Sequence, residues 1–316
     1  MILTVTLNTA LDLTYSVPEL VPHASHRVRE MSERPGGKGI NVARVLSALG
    51  HDTVVTGFVG GPTGALLREL LATTSTAPRS TAPVTDALVT VAGNTRRTIA
   101  VADRTTGDTT QLNEPGPHIT AGEWAALLHR YEELLAGADA VALCGSLPPG
   151  IHVGAYAELV RAAHAAKVPV LLDTSGEPLR RGIAARPDLV KPNAEELALL
   201  TGSRDPARAA RDARRRGAHG VIASLGPDGM LAVTPEGGWQ ARPPAAVHGN
   251  PTGAGDSAVA GLLSGLVEEL SWPDRLRRAV ALSTATVLSP TAGDFDRAAY
   301  EELLPRVVIE EHTPAA

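Results

Sequence analysis

The chain is poor in aromatic residues, has one cysteine and carries no excess of positive charge, and each shortage excludes something. Phe, Trp and Tyr make up 3% of the 316 residues, too few for a surface that stacks on nucleic-acid bases. The formal net charge of −5 provides no general attraction to nucleic acid or to an acidic membrane surface. We therefore expect no nucleic-acid partner and no membrane partner.

The single cysteine, Cys144, excludes an intrachain disulfide and favours a reducing compartment. Because it follows the strand-like run ADAVAL, a small buried residue is a better interpretation than a nucleophile. No apolar run is long enough to span a bilayer, and the first residues alternate like a strand instead of forming a secretory signal. These features predict a cytoplasmic protein.

Two common nucleotide-binding motifs are missing as well. The P-loop motif is G-x-x-x-x-G-K-[ST]. Lys38 follows a glycine, but Gly39 stands where Ser or Thr is required and the first glycine of the motif is absent. The G-x-G-x-x-G fingerprint is absent after the first predicted strand, which counts against a nicotinamide-dependent oxidoreductase.

What the chain does contain is a regular alternation of β-rich and helical runs, with 43% hydrophobic residues to form a core. Strands are predicted at 2–7, 53–60, 139–145, 168–173, 188–193 and 220–226. Helices are predicted at 40–50, 64–72, 154–166 and 194–202, and the last third is mostly helical, at 253–270, 272–289 and 296–307. This order favours an α/β fold with a mostly parallel sheet covered on both faces, and ligands then bind at the carboxyl ends of the strands.

Two stretches, 13–34 and 84–113, do not fit this alternation. Their polar and apolar residues alternate and turn residues separate the runs, so we interpret both as antiparallel hairpins that meet in a small side sheet. Just before the second stretch, residues 72–83 are rich in Thr, Ser, Ala and Pro. We expect them to form a mobile surface connection.

Two glycine turns, each opening a helix, carry the candidate chemistry. RPGGKGIN combines a flexible turn with the cation of Lys38 and the amide of Asn41, which suits a small polyhydroxylated or phosphorylated ligand. In NPTGAGDS, the amides of residues 253–255 can face an anion, and Asp256 can accept a proton from a hydroxyl. The alternatives are an ordinary turn with an exposed lysine and a common acidic residue in a first helical turn.

The two turns lie in longer stretches, PGGKGINVARVLSALG and NPTGAGDSAVAGLLSGL, that resemble the two motifs of the PfkB family of ribokinase-like sugar kinases. TLNTALDLTY, CGSLPPG, KPNAEELALLTG and ASLGPDGM stand in the expected order around them, so the resemblance covers nearly the whole chain. It implies a three-layer α/β fold with a mostly parallel central sheet. It also implies a single kinase domain over 1–316, with a small β-sheet lid formed from about 13–34 and 84–113.

The resemblance implies phosphoryl transfer from ATP with Mg²⁺. Asp256 would be the catalytic base, and an anion hole would be formed by Gly253, Ala254 and Gly255. The sugar would be lined by Asp12, Gly37, Gly39 and Asn41. Lys38 and Arg96 would hold a phosphate already on the substrate, and strand alternation turns Arg97 to the other face of the lid.

The same resemblance places the nucleotide near Gly255 and against two further stretches. Their residues are Lys191, Asn193, Ser224, Leu225, Gly226, Pro227, Asp228 and Gly229. Mg²⁺ would reach Asn193 and Glu196 through water, because magnesium keeps much of its hydration shell. The same two residues also fit a helix cap, and both roles are compatible.

Within the family, TLNTALD, GINVARVL and NTRRTIAV resemble 1-phosphofructokinases and tagatose-6-phosphate kinases. The activity implied is ATP-dependent phosphorylation of a primary hydroxyl of a ketohexose phosphate, with fructose 1-phosphate as the first candidate. Tagatose 6-phosphate and fructose 6-phosphate remain open, because Thr9 and Pro251 depart from the usual pattern. A non-catalytic sugar-phosphate or nucleotide sensor is a further alternative. The exposed lid edges also favour a homodimer formed through the lid.

Overall fold

A computed structural model describes residues 1–75, 82–289 and 294–312, and these form two β-sheets and ten α-helices. The strands are Ile2–Thr6 (β1), Ala10–Val17 (β2), Glu30–Gly36 (β3), Thr53–Gly60 (β4), Val84–Asp86 (β5), Val89–Val91 (β6), Arg96–Asp103 (β7), Thr109–Asn113 (β8), Ala140–Cys144 (β9), Val170–Asp173 (β10), Leu189–Val190 (β11), Gly220–Ser224 (β12), Met230–Val233 (β13), Gly238–Arg242 (β14) and Val308–Glu311 (β15). The helices are Lys38–Ala48 (α1), Gly61–Ser75 (α2), Ala121–Leu135 (α3), Ala155–Ala165 (α4), Gly176–Ala184 (α5), Ala194–Thr201 (α6), Pro206–Arg215 (α7), Ala254–Val267 (α8), Trp272–Val287 (α9) and Arg297–Leu303 (α10).

The large sheet is mostly parallel, as the sequence predicts. Its order is β15-β14-β13-β12-β11-β10-β9-β1-β4-β5, with β6 also paired to β4. The strands from β12 to β5 along this order are parallel, whereas β13, β14 and β15 extend one edge as antiparallel strands. These three edge strands are not predicted from the sequence, and β15 lies beyond the helices of the last third. The carboxyl ends of the parallel strands all lie on the same side of the sheet, at the ends of the strands and not along an outermost strand.

Helices cover both faces of the large sheet, which gives the three layers implied by the family resemblance. Alternate residues of β1 point to opposite faces, so Leu3 and Val5 pack with helices α3 to α7. Ile2 packs on the other face with α1 and α8 to α10. Cys144 lies in this second core and is fully buried, consistent with a packing role. In the described part of the chain, no helix combines the length and hydropathy that a membrane span requires.

The small sheet has the order β3-β2-β7-β8 and joins the two predicted hairpins. β2 pairs antiparallel with β3, β7 pairs antiparallel with β8, and β2 and β7 are parallel neighbours. The expectation that the two stretches meet in one side sheet is confirmed.

The predicted lid boundary at residue 84 is wrong, because β5 and β6 extend the large sheet. Both strands run parallel to β4, and the Thr56 hydroxyl donates to the Ala87 carbonyl at 2.9 Å between them. The small sheet therefore takes its second hairpin from 96–113. A strand on a sheet edge and a hairpin strand have the same alternation of polar and apolar residues, so the pattern could not separate them. Of the predicted connection at 72–83, residues 72–75 belong to α2 and 76–81 lie outside the described residues.

Close packing of α8 against α9 holds the helix that carries Asp256. Gly261 faces α9 so tightly that a Cβ on it would lie 2.8 Å from the Cα of Ala279. In contrast, Gly122 near the start of α3 is exposed, and a Cβ there would contact no other atom within 4 Å. The two helical glycines therefore differ in whether the fold requires them.

We expect opposite effects of Gly→Ala at these two positions. Gly261→Ala overfills the α8–α9 contact and lowers the free energy of unfolding by about 1–3 kcal/mol. Gly122→Ala removes chain entropy without a clash and raises it by about 0.5–1 kcal/mol. Thermal and urea unfolding of the two variants would measure both. A stabilising Gly261→Ala would show that α8 and α9 do not pack this closely.

Candidate active site

A cleft of 1240 Å³ lies between the two sheets, at the carboxyl ends of the parallel strands. The large body contributes Thr6, Asn8, Gly145, Ser146, Asp173, Thr174, Lys191, Asn193, Glu196 and Ser224. The small sheet contributes Asp12, Arg96, Thr98, Thr109, Gln111 and Asn113, and the two glycine turns contribute Gly37, Lys38, Asn41, Gly253, Gly255 and Asp256. The tertiary structure thus brings both motifs and the lid strands to one site.

The first glycine turn positions Lys38 and Asn41 on the cleft wall. Gly37 has φ 102° and precedes α1, where a Cβ would lie 2.7 Å from the Thr6 methyl group. Gly39 does not line the cleft as expected, because it faces β1 and a Cβ there would overlap the Thr6 hydroxyl. Gly39 allows the close approach of α1 to β1. The substrate contact expected for Gly39 is not supported by this geometry.

The second glycine turn presents two free amides to the cleft. Gly253 has φ 85° at the N-cap of α8 and offers no side-chain cap. In the described part of the chain, no acceptor pairs with the amides of Gly253 and Gly255. The Ala254 amide instead donates to the Pro251 carbonyl at 3.1 Å, and Ala254 lies outside the cleft lining. The expected contribution of Ala254 to the anion hole is therefore not supported by this geometry.

Asp256 lies in the first turn of α8 and is only 7% exposed. Asn41 Nδ2 donates to its Oδ2 atom at 2.9 Å, which fixes the carboxyl group. Burial raises the pKa of Asp256 to about 6, although Lys38 lowers it and the neighbouring Asp173 raises it further. A carboxyl group with this pKa can exchange a proton near neutral pH.

Asp173, the last residue of β10, lines the cleft and was not among the site residues predicted from the sequence. Its Oδ2 atom lies 3.2 Å from Lys38 Nζ, and its Oδ1 atom lies 3.4 Å from Lys191 Nζ. Burial acts to raise the pKa of Asp173, but the two lysines outweigh it and the net pKa is lowered. The signal available was a carboxylate at the end of the apolar run VLLD, where parallel sheets bind ligands.

Arg96 lines the opposite side of the cleft, on the first residue of β7. It donates from Nε to the Asn8 carbonyl at 3.2 Å and from Nη1 to the Glu114 carbonyl at 3.1 Å. Arg97 points away and pairs with the Glu114 carboxylate at 3.0 Å. Lys38 also lines the cleft, where it pairs with Asp173, so a joint role of Lys38 and Arg96 on one phosphate stays a prediction.

Asp12 lies beside Arg96 on β2. Burial raises the pKa of Asp12 to about 6, while Arg96 lowers it and the more distant Asp256 raises it. Gly36 on β3 makes room for this carboxyl group, because any Cβ there would collide with it. The cleft therefore holds two carboxyl groups with raised pKa values, one from the small sheet and one from α8.

The residues expected at the nucleotide divide between the cleft and the fold. Lys191, Asn193 and Ser224 line the cleft, whereas Gly226 and Pro227 line a neighbouring pocket of 290 Å³. Three others line neither space: Leu225, Asp228 and Gly229. Leu225 packs against the core, and Gly229 has φ 82° with a Cβ position that would overlap the Ala241 carbonyl. The direct nucleotide contacts expected of these three are not supported by the geometry.

Comparison with known proteins identifies the family of the chain. The model of the pfkB family of carbohydrate kinases matches residues 5–298. The chain belongs to the PfkB family of carbohydrate kinases. A 1-phosphofructokinase from Rhodobacter capsulatus is 39% identical over 288 residues, which cover 89% of each chain. The chain is an ATP-dependent sugar kinase, and the nicotinamide-dependent alternative does not hold.

Solved structures of related kinases have the same fold. Phosphofructokinase-2 from Escherichia coli in complex with fructose-6-phosphate is 31% identical, with a TM-score of 0.86 over 96% of this chain and 98% of that one. A possible 1-phosphofructokinase from Thermotoga maritima is 28% identical, with a TM-score of 0.89 over 99% of this chain and 100% of that one. The expected α/β architecture is confirmed.

A metal in this PfkB kinase would have few protein ligands. In the ranges 1–75, 82–289 and 294–312, no cluster of three or more His, Cys, Asp or Glu side chains forms a metal site. Asn193 and Glu196 line the cleft and bond each other's backbone amides at 2.8 Å in a capping box. Because one oxygen of Glu196 is left over from this cap, the pair fits a hydrated Mg²⁺ held mainly through water.

The buried charge of Asp256 predicts a pH-dependent stability difference. Folding raises its pKa from 3.8 to about 6, so protonation stabilises the native state and the ionised carboxylate destabilises it above about pH 6. Asp256→Asn removes that charge, and we expect the free energy of unfolding to rise by about 1–3 kcal/mol above that pH. The gain should vanish below about pH 4, where the carboxyl is protonated in both states. Urea unfolding across this range would measure it, and a variant less stable than wild type at about pH 8 would contradict it.

Proposed function

We propose that this kinase transfers the γ-phosphoryl group of ATP to a primary hydroxyl of a ketohexose phosphate, with fructose 1-phosphate as the first candidate. The observation that carries the proposal is Asp256, a buried carboxyl group with a raised pKa beside the free amides of Gly253 and Gly255. A base and an anion site lie next to each other there, as transfer to a hydroxyl requires.

Asp256 acts as the base in this proposal. The hydroxyl oxygen forms a bond to the γ-phosphorus, its proton passes to the Asp256 carboxylate, and the bond from phosphorus to the β–γ bridging oxygen breaks. The bridging electrons leave with ADP. The amides of Gly253 and Gly255, at the positive end of the α8 dipole, stabilise the charge of the group in transfer. Asn41 keeps the base oriented through its 2.9 Å hydrogen bond.

Arg96 is the residue we assign to the phosphate that the substrate already carries. Its guanidinium lies on the small-sheet side of the cleft, away from α8, and burial lowers its pKa without removing its charge. Asp12 beside it offers acceptor oxygens to sugar hydroxyls, and Gly37 lets the sugar approach the backbone. The substrate phosphate and the reacting hydroxyl would then occupy opposite ends of the cleft.

ATP would lie on the side of β11 and β12. Lys191, Asn193 and Ser224 face the cleft there. The adjoining pocket of 290 Å³ offers apolar walls for the adenine ring of ATP, including Val247 and Val287. Mg²⁺ near Asn193 and Glu196 would supply charge neutralisation on the ATP phosphates when bound.

Fructose 6-phosphate is the second candidate substrate. The structural relative from Escherichia coli was solved with fructose-6-phosphate, whereas the Rhodobacter capsulatus relative is a 1-phosphofructokinase. Tagatose 6-phosphate would also present a primary hydroxyl to Asp256. A non-catalytic sensor would not need a base with this pKa, so the site favours catalysis.

We further propose a homodimer formed through the small sheet. Tyr15, Met31, Ile99, Val101 and Leu112 point to the face away from the cleft, as their register and alternation require. Met31 and Leu112 are each 58% exposed, on the two edge strands. An apolar face between two open edges is best covered by a second copy of the same sheet.

The substrate proposal predicts a specific kinetic pattern. Wild-type protein should turn over fructose 1-phosphate with a higher kcat/KM than fructose 6-phosphate, tagatose 6-phosphate or free fructose, measured as ADP release. Asp256→Asn should remain folded and lose about two to four powers of ten in kcat. Near-normal turnover by a folded Asp256→Asn protein would remove Asp256 as the base, and preference for an unphosphorylated sugar would refute the substrate class.

The dimer proposal predicts a mass of two chains in light scattering at micromolar concentration. Leu112→Asp would place a charge in the buried face and should shift the protein towards a monomer. Leu199→Asp is a matched control, because Leu199 is 83% exposed on α6, away from the small sheet. A monomeric wild-type protein would contradict the proposal.

A further inference from the structure

We infer that Lys38 acts on the phosphoryl group in transfer, not on the phosphate already carried by the sugar, and that Asp173 is the positioning residue that holds it there. The inference rests on the proposed kinase function and adds the role of a residue pair to it.

The path of the Lys38 side chain supports this role. Lys38 starts α1 next to Gly145, where a Cβ on Gly145 would lie 3.9 Å from the Lys38 Cβ. Its Nζ atom then reaches Asp173 at 3.2 Å. Gly145 follows β9 and Asp173 ends β10, so the lysine crosses the strand ends towards β11. It runs towards the proposed nucleotide side of the cleft.

The charged neighbours of Lys38 and Arg96 separate the two cations. Asp173 raises the pKa of Lys38 most strongly, followed after the opposing effect of burial by Asp256 and Glu196. The acids that act on Arg96 are Asp12 and Glu114. Lys38 thus interacts with the charges of the base and of the proposed ATP side, whereas Arg96 interacts with acidic groups of the small-sheet side.

A second ammonium group, that of Lys191, lies beside Asp173. Lys191 Nζ pairs with the other oxygen of Asp173 at 3.4 Å and lies 3.4 Å from the Cβ position of Gly255. Two like charges near a helix N-terminus repel each other and the helix dipole, so an anion is needed between them. Asp173 and the ionised Asp256 supply negative charge in the free protein, and a phosphoryl group facing the Gly253 and Gly255 amides would supply it when Asp256 takes up the proton.

The choice of residue type is also informative. Of the 29 basic residues in the chain, only Lys38, Lys167 and Lys191 are lysines, and two of the three meet at the buried Asp173. An ammonium group is a compact point charge with free rotation, whereas arginine binds planar groups through a rigid fork. A lysine ammonium group can therefore keep contact with a phosphoryl group that changes position during transfer better than an arginine can. Lys38 is 43% exposed in its side chain, so it needs Asp173 to hold its position.

The inference predicts that Lys38→Ala and Arg96→Ala affect different kinetic constants. Lys38→Ala should lower kcat by about 10²–10³, with KM for the sugar phosphate within about threefold of wild type. Arg96→Ala should raise that KM about 30-fold or more and change kcat much less. Two variants should match wild type: Lys167→Asn, at an exposed position with φ 63°, and Arg97→Ala. If Lys38→Ala raises KM as Arg96→Ala does and leaves kcat unchanged, the inference is wrong.

The pH profile provides a readout that a structural role would not change. Loss of Lys38 removes a cation that lowers the pKa of Asp256, so the acid limb of kcat should move to higher pH in Lys38→Ala and stay in place in Arg96→Ala. In both variants, the other groups that act on the Asp256 carboxyl are Asn41, Asp173, Lys191 and Asp12. An unshifted acid limb in Lys38→Ala would overturn the inference.

A double-variant cycle tests Asp173. Asp173→Asn should lower kcat, and its combination with Lys38→Ala should lose less than the product of the two single losses. Fully multiplicative losses would show that Asp173 does not act through Lys38. If Asp173→Asn fails to fold, the Lys38 kinetics and pH profile decide alone. Wild-type activity on free fructose only would refute the proposed substrate and leave this test intact, because kcat on that sugar must still fall in Lys38→Ala.

Discussion

The site depends on keeping two carboxyl groups, Asp173 and Asp256, out of water next to each other. Each is almost fully buried, and each raises the cost of ionising the other. Lys38 and Lys191 offset that cost at Asp173, and the hydrogen bond from Asn41 fixes Asp256. The outcome is one carboxylate held charged and another with its pKa near 6. This difference fits the separate roles that we propose for the two residues.

The architecture places these groups by a simple rule of parallel sheets. The ends of β9, β10 and β11 present Gly145, Asp173 and Lys191 side by side, because neighbouring parallel strands end at the same edge. The helices that begin near this edge, α1 and α8, add their glycine turns and amides. The small sheet closes the other side with Asp12 and Arg96, so the cleft has two chemically different ends.

Much of the fold follows from local patterns. The strand at 53–60 was predicted with the bounds that the structure has, and the two hairpin stretches form one small sheet. The errors have a common cause, since pairing partners are not encoded locally. β5 and β6 look like hairpin strands but pair with β4, while β13 to β15 extend the far edge of the large sheet. Which edge an alternating strand joins is decided by the packing around it.

The sequence by itself determined the motifs: two glycine turns that open helices, a carboxylate in the first turn of α8, and an order of segments that resembles PfkB kinases. Only the tertiary structure decided which residues face the cleft. It turned Gly39 against β1, tied the Ala254 amide to Pro251, and brought Lys38 to Asp173, which is 135 residues away in the chain. The physical reason is that conformational freedom and residue charge are local properties, whereas burial and charge pairing depend on which distant segments meet.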